Sequence, residues 1–130
     1  MKKILIVDDE PTILMTISHV LSGKDTMVIT SSRIEEAEEA LGRYTFDLVI
    51  ADIRLSGMEG IEGLELLSYV KQISPKTNVI IMTAYGSDEM REEAYKRGAF
   101  QYFEKPIDIP HLIERVQSMG IESVAQGLKA

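Results

Sequence analysis

The chain has 130 residues and no cysteine, which excludes disulfides and thiolate metal sites. At 45% hydrophobic and 27% charged it has the composition of one globular domain with a real core. The formal net charge of -7 and the sequence pI of about 4.8 argue against nonspecific nucleic-acid binding by this domain, which would need a basic surface.

The first predicted element is Lys3-Ile4-Leu5-Ile6-Val7, a β-branched strand that ends in Asp8-Asp9. It is too short for a signal-peptide apolar region. No later run approaches the roughly 18 apolar residues of a membrane span, so a cytoplasmic protein without membrane contact is expected. Pro11 opens a helix with apolar residues at Ile13, Leu14, Ile17, Val20 and Leu21, and Gly23 is expected to end it. Thr26–Thr30 reads as the second strand. Ser32-Arg33-Ile34-Glu35 has the capping-box pattern and starts a second helix through Ala37, Ala40 and Leu41.

Leu48-Val49-Ile50-Ala51 is an unbroken apolar run that stops at Asp52, the pattern of a central strand buried on both faces. A glycine-bearing loop follows, from Ile53 to about Gly63. Leu64, Leu66, Leu67, Val70 and Ile73 make the third helix, ended by Ser74-Pro75. Asn78–Met82 is the fourth strand and leads to Thr83. Ser87 caps a fourth helix with a thin apolar stripe of Met90, Ala94 and Tyr95, and Gly98 stops it. Phe100–Phe103 is the fifth strand, followed by Lys105-Pro106. Asp108 caps a last helix through Leu112, Ile113, Val116 and Met119. Strand and helix alternate five times, which predicts an α/β fold with a parallel sheet covered on both faces. Residues 2–119 form the expected domain, and 120–130 read as a tail or the start of a linker.

In a parallel sheet the residues after the strands share one edge. That brings together Asp8, Asp9, Asp52, Thr83 and Lys105. Three close carboxylates cannot all stay ionised without a cation. Oxygen-only ligands suit Mg²⁺. A metal, a lysine and a hydroxyl together suit the oxygens of a transferring phosphoryl group, and a carboxylate can be its acceptor. Taken singly, each residue has a plainer reading: Asp9 as a helix cap, Thr83 or Lys105 as ordinary loop residues. It is their joint order that points to phosphoryl chemistry.

Ile4-Leu5-Ile6-Val7-Asp8-Asp9-Glu10, Asp47–Asp52, Met82-Thr83-Ala84-Tyr85 and Lys105-Pro106 together resemble the response-regulator receiver domains of two-component signalling. The resemblance covers residues 2 to 119 and implies a flavodoxin-like doubly wound (βα)5 fold with strand order 2-1-3-4-5. It implies Asp52 as phosphoacceptor, Asp8, Asp9, Asp52 and the backbone carbonyl of Arg54 as Mg²⁺ ligands, and Thr83 and Lys105 as phosphoryl-binding groups. Thr83 and Tyr102 would be the switch pair, Tyr85 would tune phosphoryl lifetime, and Lys105-Pro106 would be a cis peptide. The implied donor is a phosphohistidine on a histidine kinase or histidine phosphotransfer protein. The implied output face, and the surface of a possible homodimer, is helix 4, strand 5 and helix 5. The Met82–Gly86 and Gly98–Phe100 stretches are similar to receivers of sigma-54-dependent transcription regulators, and also to stand-alone phosphorelay receivers.

Two departures stand out. Ser56 occupies a position usually held by proline in the family, and the loop around Gly60-Ile61-Glu62 is about three residues longer than usual, a small entropic cost. Three rival classes are weaker. An aspartate-nucleophile phosphatase wants a second acid where this chain has Arg54. A flavodoxin-like cofactor binder wants a phosphate-cradling loop, where Asp8-Asp9-Glu10 would repel phosphate. A phosphorylation-independent interaction module would lack the acceptor, the lysine or the acidic pair, all of which are present.

Overall fold

A computed structural model of the chain describes residues 1–55 and 61–121. Five strands and five helices alternate: β1 (Lys2–Val7), α1 (Pro11–Leu21), β2 (Thr26–Ser31), α2 (Ile34–Arg43), β3 (Leu48–Asp52), α3 (Glu62–Ile73), β4 (Asn78–Thr83), α4 (Asp88–Lys96), β5 (Gln101–Glu104) and α5 (Ile109–Gln117). The strands form one parallel sheet in the order β2-β1-β3-β4-β5.

Side chains alternate across a sheet, so each apolar strand feeds two cores. Leu5, Val7, Val49, Ala51, Val79, Ile81 and Tyr102 face α2, α3 and α4. Ile4, Ile6, Leu48, Ile50, Ile80, Met82 and Phe103 face α1 and α5. Every residue of β3 is buried. Burying one such aliphatic side chain stabilises by about 1.5–3 kcal/mol, and register is fixed because a one-residue slip would exchange the two faces.

The local signals hold with several refinements. Ser87 Oγ accepts from the Met90 N–H, and Asp108 Oδ1 accepts from the His111 N–H, so both predicted caps form. Gly98 ends α4 with φ +104, a conformation that glycine adopts without a Cβ clash. The capping box at α2 is different from the one expected. Glu35 takes no part; the Ser32 N–H and hydroxyl both donate to Glu36 Oε1, each at 3.0 Å. The N-cap of α1 is Glu10, with no side-chain cap, so Asp9 is not the cap. Gly23 does not cap α1 either. The helix ends through Ser22, whose N–H donates to Ser18 O, and Gly23 instead bridges to Thr26. The fifth strand lies one residue later than predicted, at Gln101–Glu104.

At the C-terminal side, Ile121 is 1% exposed and packs with Ile17, Leu112 and Val116, so the core reaches past Met119. Residues 122–130 of the predicted tail lie outside the described residues, as do Ser56, Gly57 and Gly60 of the loop. Gly63 does fall within them, in a tight position. Its N–H donates to Ile53 O at 2.9 Å, and a Cβ there would overlap the Asp52 carbonyl. Only glycine lets α3 approach the end of β3 so closely.

Candidate functional site

The sheet brings the strand ends to one edge. Asp8 follows β1, Asp52 closes β3, Thr83 closes β4, and Lys105 follows β5. Lys105 is held in place by its backbone, whose N–H donates to Thr83 O at 2.8 Å, and its peptide bond to Pro106 is cis, as the family resemblance implied.

The same turn chemistry recurs at three of these strand ends. Asp8 Oδ1 accepts from the Glu10 N–H (2.8 Å), Asp52 Oδ1 from the Arg54 N–H (3.2 Å), and Thr83 Oγ1 from the Tyr85 N–H (3.1 Å). Each side chain thus bonds the backbone two residues on, the habit that makes such residues good turn formers. One oxygen of each aspartate is engaged in this way. The other is left for the site: Lys105 Nζ donates to Asp8 Oδ2 at 2.8 Å and to Asp52 Oδ2 at 3.0 Å. A third bond runs to Glu10 Oε1 at 3.0 Å. Asp8, Asp9, Glu10 and Asp52 each offer a carboxylate oxygen, and these atoms lie within 4.8 Å of one another.

The electrostatics follow from burial. Asp8 and Thr83 are fully buried and Asp52 is 5% exposed. Desolvation is the largest influence on Asp8 and Asp52 and raises both pKa values above the ordinary carboxylate range. The bond from Lys105 opposes that rise in each, while the Asp8 charge adds to it in Asp52. For Lys105, burial alone would lower the pKa, but bonds to Asp8, Asp52 and Glu10 outweigh it and hold the ammonium above its usual value. The lysine is charged at any physiological pH.

Around this centre the switch and tuning candidates take distinct places. Tyr102 is 6% exposed, and its hydroxyl is buried against Gly86 beside Thr83 Cγ2. Among the described residues that hydroxyl has no partner in full hydrogen-bonding geometry; burial is the largest influence on it and raises its pKa, and the nearby Ser87 backbone acts the other way. Tyr85 is 64% exposed, and the Arg54 guanidinium carbon stacks 4.4 Å from its ring centroid. This contact ties the loop after β3 to the loop after β4.

Asp8, Asp52 and Lys105 are therefore bonded directly, Asp9 joins through the carboxylate cluster, and Thr83 joins through the backbone of Lys105. Three contributors had no role assigned from sequence: Glu10, Gly63 and Gly86. Glu10 had a readable signal, because an acid two residues after a strand-end aspartate is turned back over it. Gly63 and Gly86 had none, since what crowds them comes from elsewhere in the chain.

An open parallel α/β sheet in the order 2-1-3-4-5, with acids, a hydroxyl and a lysine at its carboxyl edge, is the flavodoxin-like arrangement of receiver domains. Residues 4–117 match the family model of the response regulator receiver domain, and the chain belongs to that family, the phosphorylation-dependent modules of two-component signalling. It is 40% identical over 115 residues to the response regulator protein PilR of Pseudomonas aeruginosa, covering 88% of this chain and 25% of PilR. It is 34% identical over 116 residues to the sporulation initiation phosphotransferase F of Bacillus subtilis, covering 89% of this chain and 91% of that protein. The chain thus spans about a quarter of PilR and nearly all of the phosphotransferase. Among solved structures, the beryllofluoride-activated NtrC4 receiver domain dimer superposes with a TM-score of 0.81 at 28% identity, covering 92% of this chain and 96% of that one. Among the described residues, no helix is long and apolar enough to cross a membrane.

Proposed function

We propose that Asp52 is the phosphoacceptor of this domain. The observation that carries the reading is the bonding of one buried ammonium, Lys105, to both Asp8 and Asp52 inside a four-carboxylate cluster. The donor is a phosphohistidine on a histidine kinase or histidine phosphotransfer protein. The phosphorus–nitrogen bond breaks, a phosphorus–oxygen bond forms to an Asp52 oxygen, and the histidine regains a proton.

The donor set fits Mg²⁺: every candidate ligand is a hard oxygen, and the ion is commonly held by one or two carboxylates with waters. Asp8, Asp9, Asp52 and the Arg54 backbone carbonyl would hold it. When bound, it neutralises charge on the phosphoryl oxygens. Lys105 and the Thr83 hydroxyl bind those oxygens from the protein side. Moving Thr83 toward them favours the inward seat of Tyr102, whose hydroxyl shares the Gly86 wall with Thr83 Cγ2. Beyond its own phosphorylation and dephosphorylation the domain has no turnover.

The outward reading is α4, β5 and α5 as output and homodimer face, supported by the likeness to a receiver described as a dimer. The output is that of a sigma-54-dependent transcription regulator, supported by the Met82–Gly86 and Gly98–Phe100 stretches. The second reading, a stand-alone phosphorelay receiver, is supported by the likeness to the sporulation initiation phosphotransferase F. Either acts in the cytoplasm.

The test is incubation with acetyl phosphate and Mg²⁺, read by intact mass, for wild type and Asp52→Ala. Wild type should gain one phosphoryl group and the variant none. Equal labelling overturns the assignment.

A further inference from the structure

An ammonium has three protons to donate, and Lys105 has given all three to protein carboxylates: Asp8, Glu10 and Asp52. Its side chain is 8% exposed, which leaves little room for other partners. Yet the proposed function, on which this inference rests, requires Lys105 to bind a phosphoryl group at Asp52. One of its three bonds must be surrendered.

The three are unequal. The Asp8 side chain is fully buried and also holds the Glu10 N–H. The Asp52 side chain is 7% exposed and also holds the Arg54 N–H. The Glu10 side chain is 55% exposed, and among the described residues its carboxylate bonds to Lys105 alone. While the phosphoryl group approaches, Asp8 and Asp52 are both still ionised, and releasing either would leave a desolvated charge without its cation, a large cost. Releasing Glu10 returns it to water, and exposed ion pairs are weak. We propose that Glu10 is a positioning residue that occupies the phosphoryl-binding donor of Lys105 in the unphosphorylated protein and is exchanged for the incoming phosphoryl group.

Glu10 then works as a built-in competitor. It keeps Lys105 aimed at the site before the phosphoryl arrives, and it slows the arrival by holding the donor that the phosphoryl needs. Two changes separate occupancy from charge. Glu10→Gln removes the anion at constant size. Glu10→Asp keeps the charge but shortens the reach to Lys105.

The probes are beryllofluoride with Mg²⁺, titrated by tyrosine fluorescence, acetyl phosphate labelling rates, and Mg²⁺ alone. Both variants should bind beryllofluoride more tightly and label faster, by up to about fivefold, the scale of an exposed ion pair. Mg²⁺ affinity should stay within about twofold of wild type, since an exchangeable counter-anion of Lys105 is not a metal ligand. Weaker Mg²⁺ binding together with slower labelling in Glu10→Gln would make Glu10 a metal ligand and overturn the inference. So would Glu10→Asp behaving like wild type, which would leave only bulk charge at work. If wild type itself is not labelled on Asp52, the phosphoacceptor reading fails first. Labelled wild type with unaltered variants sinks the role of Glu10 alone.

Discussion

Replacing Gly86 with alanine tests whether Tyr102 is seated where the structure puts it. A Cβ on Gly86 would overlap the Tyr102 hydroxyl, while Tyr102 Cζ would lie 3.2 Å away and Thr83 Cγ2 3.1 Å away. The hydroxyl is thus the one atom that cannot be accommodated. In Gly86→Ala the ring must leave its pocket. A tyrosine buries about 150–250 Å², which at about 25 cal/mol per Å² is worth about 4–6 kcal/mol. Against this, the unpartnered hydroxyl regains water, returning about 1–3 kcal/mol. The net destabilisation is about 1–5 kcal/mol.

In Tyr102→Phe the overlapping atom is gone, and the remaining contacts need to yield only slightly. Gly86→Ala should then cost at most about 1 kcal/mol, in the range of mild overpacking. Tyr102→Phe alone should stabilise by about 1 kcal/mol, because it removes a buried unpaired hydroxyl. Urea unfolding of wild type, both single variants and the double variant gives the coupling, expected at about 2 kcal/mol. Single-variant effects that add to within about 0.5 kcal/mol would refute the inward seat.

Gly63→Ala should destabilise by at least about 3 kcal/mol, since the atom it meets is the Asp52 backbone carbonyl and cannot rotate away. At the exposed helical Gly42 an added Cβ would meet nothing within 4 Å, so the same change there should instead gain about 0.5–1 kcal/mol; denaturant melts showing equal effects would contradict this packing. Burial chiefly raises the pKa of Asp8 and Asp52 above 3.8. The folded state therefore keeps these protons to higher pH than the unfolded chain, so stability falls as pH rises from about 4 through the folded-state values. Mg²⁺ at about one hundred times its Kd should restore about 2.7 kcal/mol at neutral pH and nothing in acid where both carboxylates are protonated; an undiminished rise in Tm in acid would place the metal elsewhere. Tyr85→Ala should change autodephosphorylation by up to about fivefold through loss of the Arg54 stack, worth about 0.5–1 kcal/mol when exposed, and an unchanged decay of labelled protein would remove Tyr85 from the site.

The fold was legible because each strand is an apolar run whose length and β-branching leave little else to form, and because every helix carries a stripe of matching period. Asp52 was legible for the same reason: a carboxylate that interrupts the apolar run of β3 shows its position by contrast. Boundaries were less legible. At α2, Glu35 and Glu36 both lie near Ser32 in sequence, and only the three-dimensional turn selects Glu36. Gly23 looked like a helix stop, but Ser22 had already left the helix with extended backbone. Gly63 and Gly86 are distinguished by contacts with Asp52 and Tyr102, which no local pattern encodes. Ile121 lies beyond the last periodic position of α5, and it is buried in one cluster with Ile17 of α1 and Leu112 and Val116 of α5.

The repeated turn at the ends of β1, β3 and β4 holds the site through residues close by in sequence. Asp52 is aimed by the Arg54 N–H, two residues on, and by Lys105, which is itself fixed through Thr83 O. Each of these restraints joins residues that lie outside the segment between Leu55 and Ile61. The chain re-enters the structure at Gly63, whose N–H returns to Ile53 O. Asp52 is thus pinned on the near side of the loop, and α3 is pinned against the same strand end on the far side. Added residues between the two pins lengthen a closed loop, a cost that grows only logarithmically, and leave both anchors unaltered. The geometry of the carboxylates is set by short-range hydrogen bonds and one buried lysine.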